Sequence, residues 1–141
     1  MKKYILLFAL LTVVSVSAFS QSTDQKSITK TIEMFSKAGD AQDANKLEVL
    51  LNENYNVVMH QLFGSETTSL LPRAAYIEKI RNKEFGGDNR TVTVEHVEVN
   101  GSTAVAKVLL KGSKMTVRSI FTLVKTKSGK WQLVSDMPVI V

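Results

Sequence analysis

Between Arg90 and Val141 the chain reads as four consecutive β-strands joined by three tight turns, and this stretch constrains the fold most. Asn100-Gly101 is a strong two-residue hairpin signal. Gly112-Ser113 predicts a second two-residue turn with glycine in the first central position, and Lys127-Ser128-Gly129 predicts a three-residue loop with Gly129 left-handed. Turn type fixes register, and register assigns every side chain to a face. A two-residue loop at Gly112-Ser113 pairs Leu110 with Met115, Val108 with Val117, Ala106 with Ser119 and Ala104 with Phe121. The last hairpin then pairs Leu123 with Leu133 and Phe121 with Ser135, so Trp131, Leu133, Ser135 and Met137 join one apolar face. The other face carries Val105, Lys107, Leu109, Arg118, Ile120, Val134 and Asp136.

The first of these strands breaks the pattern. Val97 and Val99 belong with the apolar face, whereas Val92 and Val94 have the opposite parity. A β-bulge near Glu95-His96 restores all four to one side and re-aims one of those two polar side chains.

The residues before the sheet read as helices around one short strand. Ser22–Ala38 carries Ile28, Ile32 and Phe35 at helical spacing and is predicted to close at Gly39. Asp40–Leu51 predicts a short second helix, capped by Asp40 or Asp43, with Leu47, Leu50 and Leu51 buried. Tyr55–Phe63 predicts a strand and Gly64–Ser69 a polar loop. Pro72 opens a third helix as its first residue, running to about Lys83 with Tyr76, Ile77 and Ile80 on its apolar side. Gly86-Gly87 then breaks the chain.

Met1–Ser20 reads as a secretory signal peptide. Lys2 and Lys3 precede an uncharged apolar run from Tyr4 to Val16, and Ala18-Phe19-Ser20 offers a cleavage site. That run is shorter than the roughly 20 residues a membrane-spanning helix needs. The expected product is an exported, periplasmic or secreted domain over residues 21–141, with a net charge of +3 against +5 for the whole chain. Its lysines are scattered and not interleaved with aromatics, which gives nucleic-acid binding no support. No membrane contact is expected after cleavage. The chain has no cysteine, so stability rests on the core alone. Its two histidines lack metal-ligand spacing, so neither a metal nor a cofactor is indicated.

Several short motifs point to a known superfamily. Lys37-Ala38-Gly39-Asp40-Ala41, Leu50 through Tyr55, Asn100-Gly101 through Ala106, and Gly129-Lys130-Trp131-Gln132-Leu133-Val134 occur in the order seen in nuclear transport factor 2-like proteins. The chain resembles the bacterial branch of that superfamily described as putative lumazine-binding or SnoaL-like. The resemblance implies an α+β, cone-shaped fold in which N-terminal helices pack on a curved antiparallel sheet and leave a pocket between them. It also implies a homodimer through the outer sheet face, which here would carry Val105, Leu109, Ile120 and Val134.

Isomerases of the superfamily use a tyrosine and two acids. The tyrosine and general-base positions here fall near Ile32 and Met59, which carry no protons to exchange. The function expected is therefore binding of a small apolar or aromatic molecule, or an accessory role, without catalysis. A SnoaL-like isomerase or hydrolase with His60 as base is the first alternative, since imidazole titrates near neutrality. A dimeric protein-interaction module is the second. The candidate ligand residues are Tyr55, His60, Tyr76, Ala106, Ser119, Phe121, Ser135 and Met137. Small residues between Phe121 and Met137 either leave space or let the first helix pack closely.

Overall fold

The computed structural model describes the backbone of residues 2–141 and the side chains from Ser20 onward. The signal-peptide reading of Met1–Ser20 therefore falls almost entirely outside the described side chains. The elements follow the order α1 (Lys2–Asp40), α2 (Ala44–Leu50), β1 (Leu51–His60), β2 (Thr68–Pro72), α3 (Arg73–Arg81), β3 (Thr91–Asn100), β4 (Thr103–Lys111), β5 (Thr116–Lys125) and β6 (Trp131–Ile140). The six strands form one curled, unclosed sheet in the order β2-β1-β6-β5-β4-β3, with the helices packed against it. The sheet is mixed, because β1 runs parallel to β6. No hairpin joins those two strands, so no turn forces them antiparallel.

The end of α1 shows why one local expectation fails. The helix does not stop at Gly39. It runs to Asp40 and closes with Gln42 in the left-handed region at φ 54°, while the Asp43 N–H donates to the Ala38 carbonyl at 2.8 Å. Gly39 serves packing instead. A Cβ there would sit 2.9 Å from Nη2 of Arg90, and a Cβ on Gly86 would sit 2.0 Å from the Gly39 carbonyl oxygen. Asp43 caps α2 by accepting the Lys46 N–H at 3.1 Å. Asp40 instead accepts the Arg90 backbone N–H at 2.9 Å and its Nε–H at 2.5 Å. Pro72 is the cap of α3 rather than its first residue, and it also ends β2, a short edge strand that begins within the expected Gly64–Ser69 loop and takes in Leu70 and Leu71.

The sheet registers decide the interior. Across β3 and β4 the pairing jumps from Val94↔Val108 to His96↔Lys107, which is the bulge the valine parity required. All four valines now pack on the core, and Glu95 and His96 are both exposed. The β3–β4 loop is Gly101-Ser102, so Asn100 pairs with Thr103.

Between β4 and β5 the loop has four residues, not two, with Lys111 opposite Thr116. Asp88 holds this wider turn, accepting from the Ser113 N–H at 3.0 Å, its hydroxyl at 2.6 Å and the Lys114 N–H at 3.2 Å. These hydrogen bonds, the Ser113 hydroxyl first, keep the Asp88 carboxyl far below the usual range. The register moves by two residues relative to expectation, so the predicted faces of β4 and β5 stand.

The last hairpin behaves differently. Its loop is the expected one, with Gly129 at φ 83° and Lys125 opposite Trp131. The register then slips by one, from Leu123↔Leu133 to Thr122↔Ser135, with Val134 as the extra residue. An odd slip exchanges the faces of everything beyond it. Asp136 turns inward opposite Phe121, while Ser135 and Met137 turn outward opposite Thr122 and Ile120. This corrects the expected placement of all three residues.

The core fills one end of the cone. Ile28, Ile32 and Phe35 of α1 meet Ala104, Ala106, Val108, Phe121, Leu123 and Leu133 of the sheet, all nearly or wholly buried. At that end Asp24 accepts from Lys125 Nζ at 2.7 Å and from Trp131 Nε1 at 3.2 Å.

Candidate functional site

The cone stays open at the other end. A cavity of about 390 Å³ lies between α1, α3, β1, β4, β5, β6 and the segment around Phe85. Its walls are mainly apolar: Phe35, Val57, Met59, Tyr76, Leu110 and Val117. The polar groups are few, and Ser119 and Asp136 are buried, at 1% and 8% exposure. Such a balance of apolar lining and sparse polar groups is typical of small-molecule sites.

Three rings shape one wall. Tyr76 stacks on Phe35 with centroids 6.3 Å apart at 21°, and meets Phe85 at 6.0 Å. Behind them Tyr55 packs edge-on to Tyr76 at 5.5 Å. The Tyr55 hydroxyl is buried with no hydrogen-bond partner among the described residues. Burial pushes both phenols well above their ordinary range, and the nearby charge of Asp136 adds to the effect.

Asp136 accepts the Ser119 hydroxyl at 2.6 Å. Burial raises its carboxyl to about 7, against the opposing pull of the Ser119 hydrogen bond and the charge of Arg90. Arg90 reaches the cavity wall already engaged, with Nε on Asp40 and Nη2 donating to the Ser36 carbonyl at 3.0 Å. Glu84 at the rim is paired with Lys79 at 2.7 Å, which holds its carboxyl below the usual range. The site thus offers a carboxyl that is neutral or ionised near pH 7, in an apolar, ring-lined cavity. Among the described residues no group of three or more His, Asp or Glu side chains could hold a metal ion.

Of the residues expected here, Tyr76 and Ser119 line the cavity. Tyr55, Ala106 and Phe121 are buried in the core beside it, and α1 covers the small residues Ala104 and Ala106. Ser135 and Met137 stand on the opposite face of β6. His60 is exposed, with Nδ1 2.6 Å from the Thr68 hydroxyl, and lies outside the cavity. The sequence reading missed Asp136 and Arg90. Nothing local marks the bulge at Val134 that turns Asp136 inward, since the adjacent apolar pair Leu133-Val134 is matched by Val139-Ile140 in the same strand.

Fold and cavity together define an α+β cone of the nuclear transport factor 2-like class. The solved structures agree. A protein of unknown function from Silicibacter pomeroyi, called NTF-2 like, superposes with TM-score 0.75 at 21% identity, covering 86% of this chain and 98% of that one. An NTF2-like protein from Shewanella baltica, also of unknown function, gives 0.73 at 15% identity and covers 85% and 95%. One from Rhodospirillum rubrum, called a protein of unknown function in nutrient uptake, gives 0.64 at 18% identity and covers 81% and 98%. More particularly, the chain belongs to the family described as "Putative lumazine-binding", whose family model matches residues 23–137. No curated protein matches it.

Proposed function

We propose that this protein is an exported, non-catalytic domain that binds a small, largely apolar or aromatic molecule in the open end of its cone. The observation that carries the reading is the cavity itself: about 390 Å³, ring-lined, with one buried carboxyl at its inner end. The family description supports it, since lumazine is a flat two-ring heterocycle of a size such a cavity admits. The isomerase or hydrolase alternative loses support, because its intended base, His60, stands in solvent. No imidazole lines the cavity beside Asp136, and Glu84 is committed to Lys79.

Export is supported by the charged, apolar and small-residue regions of Met1–Ser20. A homodimer through the outer sheet face is supported by the exposed side chains of Val105, Ile120, Met137 and Val139. Native mass spectrometry of the full-length gene product, recovered from the periplasm of a bacterial host, tests the whole reading. A chain beginning at Gln21 with a co-purified small molecule, released on unfolding, is expected. A chain retained in the cytoplasm would refute export. An empty protein that also fails to bind lumazine or naphthalene at millimolar concentration would refute the binding reading.

A further inference from the structure

We propose that the inner end of the cavity recognises a lactam or imide edge, a ring N–H beside a ring C=O, through the adjacent donor and acceptor of a neutral Asp136 carboxyl. The inference rests on the small-molecule reading above and specifies its ligand. A protonated carboxyl presents an O–H and a C=O side by side, as a cyclic amide does, so the two edges pair reciprocally.

The surroundings of Asp136 suit that pairing. Its Oδ1 is oriented by the Ser119 hydroxyl at 2.6 Å, and no other protein group among the described residues hydrogen-bonds the carboxyl. The remaining pairing capacity is free on the cavity side, because Asp136 itself lines the cavity. The ring wall of Phe35, Tyr76 and Phe85 favours a flat partner, since aromatic groups gain from stacked and edge-on contact.

The walls carry charges of both signs, and Arg90 is held by Asp40 and Glu84 by Lys79. No single-sign field therefore selects an organic ion, and a neutral ring with a polar edge needs no counter-ion. The titratable groups facing Asp136 are few. Tyr55 comes from β1 and Tyr76 from α3, both held neutral by burial, and Arg90 is paired with Asp40 of α1. Ionised Asp136 has no donor for the ligand carbonyl, so binding weakens as pH rises through the titration of this one group, near pH 7.

Calorimetric titration of the folded protein with 2-quinolone, N-methyl-2-quinolone and naphthalene, from pH 5.5 to 8.5, tests this. At pH 5.5 the lactam is expected to bind at least ~10-fold more tightly than its N-methyl analogue, which lacks the ring N–H. For the wild type that affinity should fall about 10-fold per pH unit above neutrality. Asp136→Asn keeps a donor and an acceptor without ionising, so its affinity for 2-quinolone should stay flat across the range. Equal binding of the lactam and its N-methyl analogue would overturn the proposal, as would a wild-type profile that is flat or rises with pH. The same pH fall in Asp136→Asn would also overturn it. If naphthalene binds while the lactam shows no preference, the cavity reading survives and the lactam reading falls. If no probe binds, both fall.

Discussion

Replacing Asp136 by asparagine should stabilise this protein at neutral pH, and by an amount that depends on pH in a defined way. The buried carboxyl holds its proton to about 7, whereas in the unfolded chain it titrates at its ordinary value of 3.8. The folded state therefore binds the extra proton throughout the interval between those values. Stability from this group is fully present below about pH 4 and drains away as pH rises towards 7. Each tenfold in proton affinity is worth about 1.4 kcal/mol, so the full loss approaches about 4 kcal/mol. Asparagine has nearly the same shape, still accepts the Ser119 hydroxyl through its amide oxygen and never ionises. At pH 4 the variant and wild type should match within about 1 kcal/mol. At pH 8 Asp136→Asn should be more stable by about 2–4 kcal/mol, read as a shift in the urea midpoint at unchanged m-value. A difference that is the same at pH 4 and pH 8 would show that Asp136 titrates normally. A variant less stable than wild type at pH 8 would show that the ionised carboxylate is well solvated or paired, contrary to its burial among apolar walls.

Two further outcomes follow from the packing. Gly86→Ala should cost about 2–4 kcal/mol by urea denaturation, because its φ of 77° is strained for alanine and its new Cβ would lie 2.0 Å from the Gly39 carbonyl; a change under about 0.5 kcal/mol would show that the Phe85–Gly87 segment relaxes freely. If the outer face forms the homodimer, Ile120→Asp places a charge in each half of a desolvated interface and should weaken association at least ~100-fold in light scattering behind size exclusion. A wild-type monomer, or an unaffected dimer, would remove the outer face as the interface.

The cone fold was legible largely because its signals are local. Alternation and turn residues mark β3 to β6, and Ile28, Ile32 and Phe35 mark the buried side of α1. The bulge at Glu95 was readable too, since four valines cannot share one face without it. The strand β2 was not legible, because its five residues are mostly exposed and gain their backbone hydrogen bonds only from β1. Gly112-Ser113 misled for a similar reason: the carboxylate that widens the turn, Asp88, is distant in sequence.

The candidate site depended on a single residue of register. By itself the sequence determined that β6 carries a buried stripe and that its neighbour β5 supplies Ser119 and Phe121. Only the tertiary structure decided which way Asp136 faces. With β5 on one side and parallel β1 on the other, β6 slips by one residue at Val134, and side chains alternate with a period of two. That slip takes Ser135 and Met137 out of the cone and leaves a carboxyl at the inner end of its cavity.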